Sequence, residues 1–321
     1  MTKLKNWQPR AELETIRTRG ALYAKIRCFF AQRQVLEVDT PMLSTSATVD
    51  PNIDSFGTHS GRWLQTSPEF AMKRLLAAGS GAIYQIARVF RLEESGRLHN
   101  PEFTLLEWYR PGWDYRQLME EVQLLLIEAG IGSGQFASIT YRDAFKLHAG
   151  LDPFTASPQQ LRQACADAIG PAPEPSEATA DAQRDFWLDL LMSAVVGPRL
   201  GAETPQFLYD FPASQAALAR VRQDHPPVAE RFELFWKGLE LANGFGELTD
   251  AEEQRRRFES DQQRRGARGQ RVPPYDERLI DALAAGLPAC AGVAIGLDRL
   301  LMLILDLPHI GDTLSFDFER A

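Results

Sequence analysis

A chain of 321 residues with a formal net charge of -8, 44% hydrophobic and 24% charged residues has the make-up of a soluble globular protein with room for a sizeable core. The acidic balance argues against a broad nucleic-acid footprint, which needs a lysine and arginine surplus on some face. Cys28, Cys165 and Cys290 stand far apart without a C-x-x-C pair, so neither a disulfide framework nor a zinc site is expected.

The N-terminal stretch MTKLKNWQPRAELETIRTRG has no apolar leader region, and the longest unbroken apolar run, Leu300 to Leu305, is too short for a bilayer. A cytoplasmic protein without membrane contact is the expectation. Residues 11–34 predict an amphipathic helix, with Leu13, Ile16, Ala21, Leu22, Ile26 and Phe29 near helical spacing. VLEVDTPML, 35–43, turns extended because Pro41 forbids helix. TSPEFAMKRLLAAG, 66–79, reads as a short helix with Thr66 or Ser67 as cap, Pro68 and Glu69 in the first turn and Gly79 as stop. Residues 83–94 and 103–110 are β-prone runs around the loop SGRLHNPE, a hairpin with a long connection. A helix over 115–130 ends at Gly130. Residues 135–205 are weakly patterned, and PAPEPSEATADAQ, 171–183, reads as a mobile linker. Strand character returns at 206–214 and 231–248, helices follow at about 249–267 and 276–286, and residues 292–305 form a glycine-punctuated strand running into a helix at Asp298. This order predicts an α+β fold with a mainly antiparallel sheet flanked by helices.

The hairpin FRLEESGRLHNPEFTLLEWY carries more charge than a sheet core needs. Side chains two apart share a strand face, so Arg91 and Glu93 are expected to point together, as are Phe103, Leu105, Glu107 and Tyr109. A solvated face with ion pairs is one explanation. Further stretches favour a ligand site: in ELANGFGE a strand bent at Gly244 can bring Glu240 and Glu247 to one Mg²⁺, and Gly292 and Gly296 expose backbone beside Arg299 at a helix start. The combination reads as a nucleoside triphosphate site on an antiparallel sheet. Neither G-x-x-x-x-G-K-[ST] nor G-x-G-x-x-G occurs at a strand-helix junction.

Together these pieces resemble the catalytic domain of class II aminoacyl-tRNA synthetases, in the lysyl-tRNA synthetase branch. The helix and strand ending in EVDTPML resemble the first signature motif, FRLEESGRLHNPEFTLLEWY the second and GVAIGLDRLLM the third. The resemblance implies that Arg91 holds the α-phosphate of ATP, Phe103 stacks on adenine and Glu93 reads its amino group, with Leu92, Leu241 and Gly296 beside the nucleotide. His99, Asn100 and Arg299 attend the phosphates, and Glu240 and Glu247 sit near Mg²⁺. For the amino acid it implies Ser67, Pro68 and Glu69 at the backbone ammonium and Asn243 at the carboxylate. Tyr109, Glu247 and Glu107 meet a lysine-type side-chain ammonium, and Ala294 lies in the pocket floor. Phe29, Phe30 and the strand after them are expected in a homodimer interface.

Two departures refine the expectation. The first motif's helix starts by about residue 11, which leaves no room for an N-terminal anticodon-binding OB domain, so no tRNA anticodon contact is expected. The G-x-G-x-G of the third motif reads here Gly292, Ala294, Gly296, and an added methyl reshapes a tight pocket. Both features resemble the paralogues of that branch that lysylate elongation factor P. They imply one catalytic domain over 1–321, with a helical or linker insertion at about 150–205. ATP and Mg²⁺ are the implied cofactors, lysine or (R)-β-lysine the amino acid and elongation factor P the protein acceptor. The alternatives are a truncated lysyl-tRNA synthetase-like adenylating enzyme and a silent regulatory paralogue. The arginine-rich run 255–271 is read either as a solvated helix or as a surface in which some arginines steer an acidic partner, with charge reversal of Arg264, Arg265 and Arg268 as its test.

Overall fold

The computed structural model describes residues 7–92, 94–132, 134–171, 175 and 179–321. In chain order they form α1 (Leu13–Gln32), β1 (Leu36–Glu37), β2 (Leu43–Ser44), β3 (Trp63–Leu64), α2 (Glu69–Ala77), β4 (Ile83–Phe90), β5 (Glu102–Pro111) and α3 (Tyr115–Ala129). Then come β6 (Ala137–Thr140), α4 (Tyr141–Ala149), α5 (Pro158–Ile169), α6 (Ala180–Leu191), β7 (Gln206–Pro212), β8 (Val221–Arg222), β9 (Val228–Trp236) and β10 (Leu239–Gly246). The chain closes with α7 (Ala251–Ala267), α8 (Glu277–Gly286), β11 (Cys290–Gly296) and α9 (Leu297–Ile304).

The large sheet runs β1-β4-β5-β11-β10-β9-β7-β6, with β8 beside β9. Only its outer pairs, β1 with β4 and β6 with β7, are parallel. The antiparallel α+β expectation therefore holds. Strand alternation divides β5 between two environments: Leu106 and Trp108 enter the main core, whereas Phe103, Leu105, Glu107 and Tyr109 face a cavity. In that core α1, α3 and α9 cover one side of the sheet, with Phe30 stacked on Tyr84 at a centroid distance of 4.3 Å and edge-on to Trp108 at 5.4 Å.

Local chemistry explains where the elements begin and end. Asp114 accepts hydrogen bonds from the backbone N–H groups of Arg116 and Gln117, both at 2.9 Å, while Gln117 Oε1 accepts from Asp114 N at 3.0 Å. This capping box contributes about 1 kcal/mol to α3, and Gly130 at φ 100° ends the helix. The stretch 231–248 is not one strand but the hairpin β9–β10, turned at Lys237 and Gly238 with φ of 51° and 72°.

Several expectations need correction. The strand of 83–94 stops at Phe90, so Arg91 and Leu92 leave it; Glu93 lies outside the described residues. Of the proposed linker, residues 179–183 belong to the capped start of α6, because Thr179 Oγ1 accepts from Ala182 N at 3.3 Å. Residues 172–174 and 176–178 lie outside the described residues. The span 150–205 is mostly helical, and α4, α5 and α6 pack with β7 and β9 into a second apolar cluster. Phe29 and Phe30 are fully buried in the main core and present no interface; the exposed apolar side chains of the next segment are Leu36, Met42 and Leu43.

Candidate active site

The central strands carry two aligned rows of residues whose members on β5, β11, β10 and β9 line a cavity of about 1550 Å³. One row runs Gln85, Glu107, Ala294, Asn243, Glu233 from β4 to β9. The next runs Ile83, Tyr109, Gly292, Phe245, Arg231. A bulge between Glu240 and Ala242 changes the parity of β10, so Glu240 joins Asn243 on the cavity side.

At one end Glu107 is buried and receives two hydroxyls, Ser67 Oγ and Tyr109 OH, each at 2.7 Å. Ser67 also accepts from Glu69 N at 3.0 Å, which is why S-P-E starts α2 here. Lys73, one turn further, places its Nζ 2.7 Å from Glu69 Oε1 and 2.6 Å from Glu247 Oε2. Burial raises Glu107 to about 8, aided by the Glu69 charge, and raises Glu247 to about 7 against the pull of Lys73. Burial opposes the Lys73 ammonium, yet the charges of Glu247 and Glu69 overcome it and raise its pKa. A Cβ at Gly292 would lie 2.3 Å from the Tyr109 ring and 2.4 Å from the Glu247 carboxylate, so only glycine leaves both side chains in place.

The other end is cationic. The Arg91 guanidinium lies 5.1 Å from the centroid of the Phe103 ring and 3.3 Å from Glu94, and its buried Nε has no partner among the described residues. Arg299 donates to the Glu240 carbonyl at 3.1 Å and lies 2.6 Å from His99 Nε2. Burial and the adjacent Arg299 lower the His99 pKa, which favours the neutral ring. Asp298 ties this end to the core: it pairs with Arg19 of α1 and accepts from Thr104 N, beside Phe103, at 2.7 Å. An arginine over an aromatic ring, with a second arginine lining the same cavity, suits a phosphorylated, planar ligand.

Ser67, Pro68, Glu69, Arg91, His99, Asn100, Phe103, Glu107, Tyr109, Glu240, Leu241, Asn243, Glu247, Ala294, Gly296 and Arg299 all line this one cavity. Leu92 does not; it is exposed, with its N–H donating to Asp54 O at 2.8 Å. Asn100 spends its amide on structure, donating to Glu102 O at 2.6 Å and accepting from Phe318 N at 3.1 Å. A metal shared by Glu240 and Glu247 is not supported. Seven positions along one strand separate them by about 20 Å, far beyond the reach of one ion, and Glu247 is committed to Lys73. Glu233 on the neighbouring strand is the carboxylate near Glu240. Burial raises it to about 7; Arg231 opposes and the Glu240 charge assists. Among the described residues no three His, Cys, Asp or Glu side chains gather as a metal site, so a cation here would draw on two carboxylates and complete its shell with phosphate and water oxygens.

Sequence reasoning missed Glu233 and Lys73. The strand alternation of RFELFW marks Glu233 as facing with Arg231, and the i,i+4 spacing of Glu69 and Lys73 was a legible pair. The arginine run is used internally: Arg265 is buried and donates to Asp50 O at 2.8 Å and to Ile53 O at 3.2 Å, while Arg255 pairs with Glu277, Arg257 with Glu253 and Arg264 with Asp261. Arg265 is therefore a brace for the 50–54 loop and not a steering charge.

The family model for tRNA synthetases class II (D, K and N) matches residues 6–320. Proteins from Salmonella dublin, Salmonella paratyphi B and Salmonella heidelberg, each named "Elongation factor P--(R)-beta-lysine ligase", are 47% identical to this chain over 330 residues, covering 100% of it and 100% of each relative. A match across almost every residue, on an antiparallel sheet whose central strands carry the signature side chains into one cavity, makes this chain a member of the class II tRNA synthetases of the D, K and N group.

Proposed function

We propose that this protein activates (R)-β-lysine or lysine with ATP as an aminoacyl-adenylate and transfers the acyl group to a lysine ε-amino group of elongation factor P. The observation that carries this reading is the polarity of a single cavity: three carboxylates, Glu69, Glu107 and Glu247, at one end, and Arg91 and Arg299 at the other. The full-length relatives bear the name of that ligase.

Glu69 receives the backbone ammonium, Glu107 and Glu247 with Tyr109 receive the side-chain ammonium, and Asn243 holds the carboxylate. The carboxylate oxygen attacks the α-phosphorus of ATP and pyrophosphate leaves. Arg91 balances charge on the phosphoryl oxygens, Phe103 stacks on the base, and Arg299 with His99 orients the leaving phosphates. The acceptor amine then attacks the acyl carbonyl, AMP departs with the bonding pair, and the amine's proton passes to solvent. Glu233 and Glu240 would hold a Mg²⁺ ion, which supplies charge neutralisation for the phosphates. Positioning and electrostatics do the work, without a covalent enzyme intermediate.

The helices between β6 and β7 are an insertion in a single catalytic domain, and the protein acts in the cytoplasm as a homodimer in which Leu36, Met42 and Leu43 are covered. Among the described residues no helix is long and apolar enough to cross a membrane. ATP-pyrophosphate exchange with each lysine isomer, followed by the intact mass of elongation factor P and a parallel tRNA charging assay, tests the proposal. Exchange plus a mass gain of one lysyl residue on the factor is expected; charging of tRNA alone, or no exchange, overturns it.

A further inference from the structure

Lys73 has no part in the reaction as written, yet it is 1% exposed and stands inside the amino-acid end of the cavity's wall. Its ammonium bridges Glu69 on its own helix and Glu247 at the end of β10. An i,i+4 pair on a helix surface contributes little. Here the pair is withdrawn from water and extended to a third group on another element, so the three side chains form one charged unit.

We infer that Lys73 is a positioning residue for the amino-acid substrate, a resident cation that orients Glu69 and Glu247 and sets the pocket's charge for a ligand with two ammonium groups. The inference rests on the lysine-activating reading above. Once Glu107 and Glu247 are ionised with Glu69, three carboxylates against one ammonium leave two negative charges, the complement of a dication with one free carboxylate held elsewhere, so binding of that dication is linked to proton release from the buried carboxyls.

The groups facing Glu247 from each packed element support this. From α2 come Glu69 and Lys73, from β5 Glu107 and Tyr109, and from β11 the buried thiol of Cys290. Arg220, whose charge reaches Cys290, is paired with Glu230. Lys73 is thus the cation joined to Glu247 among the described residues. Without it, a carboxylate that burial already pushes toward neutrality would hold a proton at neutral pH and lose its attraction for the substrate ammonium.

The test is exchange kinetics with wild-type protein and Lys73→Met across pH. The amino-acid KM of Lys73→Met should rise about tenfold or more near pH 7 and fall back toward wild type near pH 9, with the ATP KM changed less than about twofold. In a Glu247→Gln background the same substitution should cost less than about threefold, because the partner on another element is gone and only the Glu69 pair within α2 remains. Should Lys73→Met fail to fold, wild-type competition decides: norleucine and 6-aminohexanoate, each with one ammonium, should inhibit at least about 100-fold more weakly than lysine. An unchanged amino-acid KM, an equal penalty in both backgrounds, or a monocation competing within about tenfold of lysine overturns the inference. Wild-type protein that supports no lysine-dependent exchange overturns the functional reading and this inference with it; active wild type with an unaffected Lys73→Met overturns the inference alone.

Discussion

Arg299 and His99, 200 residues apart in the chain, meet at 2.6 Å, and the same guanidinium donates to the Glu240 carbonyl at 3.1 Å. One side chain at the start of α9 therefore joins the long hairpin loop to the bulge of β10, the two segments that the proposed reaction brings to the phosphates of ATP.

Replacing Arg299 with alanine should lower kcat/KM for ATP by about 100-fold or more, with the amino-acid KM moving much less. Arg91→Ala should act similarly, since its buried Nε awaits an acceptor. Pyrophosphate exchange and a thermal melt on the same preparations separate this from unfolding, and near-normal exchange in either variant would count against the nucleotide end as drawn.

Glu233 and Glu240 are expected to govern the metal requirement. Glu233→Gln and Glu240→Gln should each shift the Mg²⁺ concentration for half-maximal exchange upward by about tenfold or more. Glu247→Gln should leave that midpoint unchanged and raise the amino-acid KM. A Mg²⁺ titration with the outcomes reversed would restore Glu247 as the ligand.

At the pocket floor, Gly292→Ala forces a methyl against Tyr109 and Glu247, an overpacking that costs about 1–3 kcal/mol of stability and should abolish amino-acid binding. Two positions on, Ala294 stands opposite Glu107, and Ala294→Gly should shift preference toward α-lysine over (R)-β-lysine without loss of stability beyond about 1 kcal/mol. Competition between the isomers in the exchange assay reads the second effect; unchanged discrimination refutes it.

Stability of the free protein should depend on pH through the buried carboxyls. Glu107 rises by burial from 4.5 to about 8. A carboxyl whose folded pKa exceeds its unfolded value binds its proton more tightly in the native state. Its contribution is then complete below the unfolded pKa and is lost as pH rises toward the folded one. Melting temperature should fall between about pH 5 and pH 8, with a shallower slope in Glu107→Gln, and lysine should stabilise more at the upper end of that window. A slope identical in the variant would show that Glu107 is not among the groups responsible.

Much of this molecule was written locally. Sequence pattern placed α1, α3, α7 and α9 to within a few residues, and at α3 and α7 the cap lies beside the helix in the chain, Asp114 with Gly130 for α3 and Asp250 for α7. Alternation in β5 assigned Phe103, Leu105, Glu107 and Tyr109 to one face, since that depends on nothing beyond the pleat. Motif resemblance then carried those faces to a nucleotide and a lysine-type amino acid. What sequence could not decide depended on cross-strand register and on burial. The bulge that turns Glu240 toward the cavity, the neighbouring strand that brings Glu233 to it and the helix that brings Lys73 to Glu247 join residues distant in the chain. A charged residue's role follows from the groups that replace its water, so Arg265 became a brace and Glu247 a partner of Lys73 only in the tertiary structure.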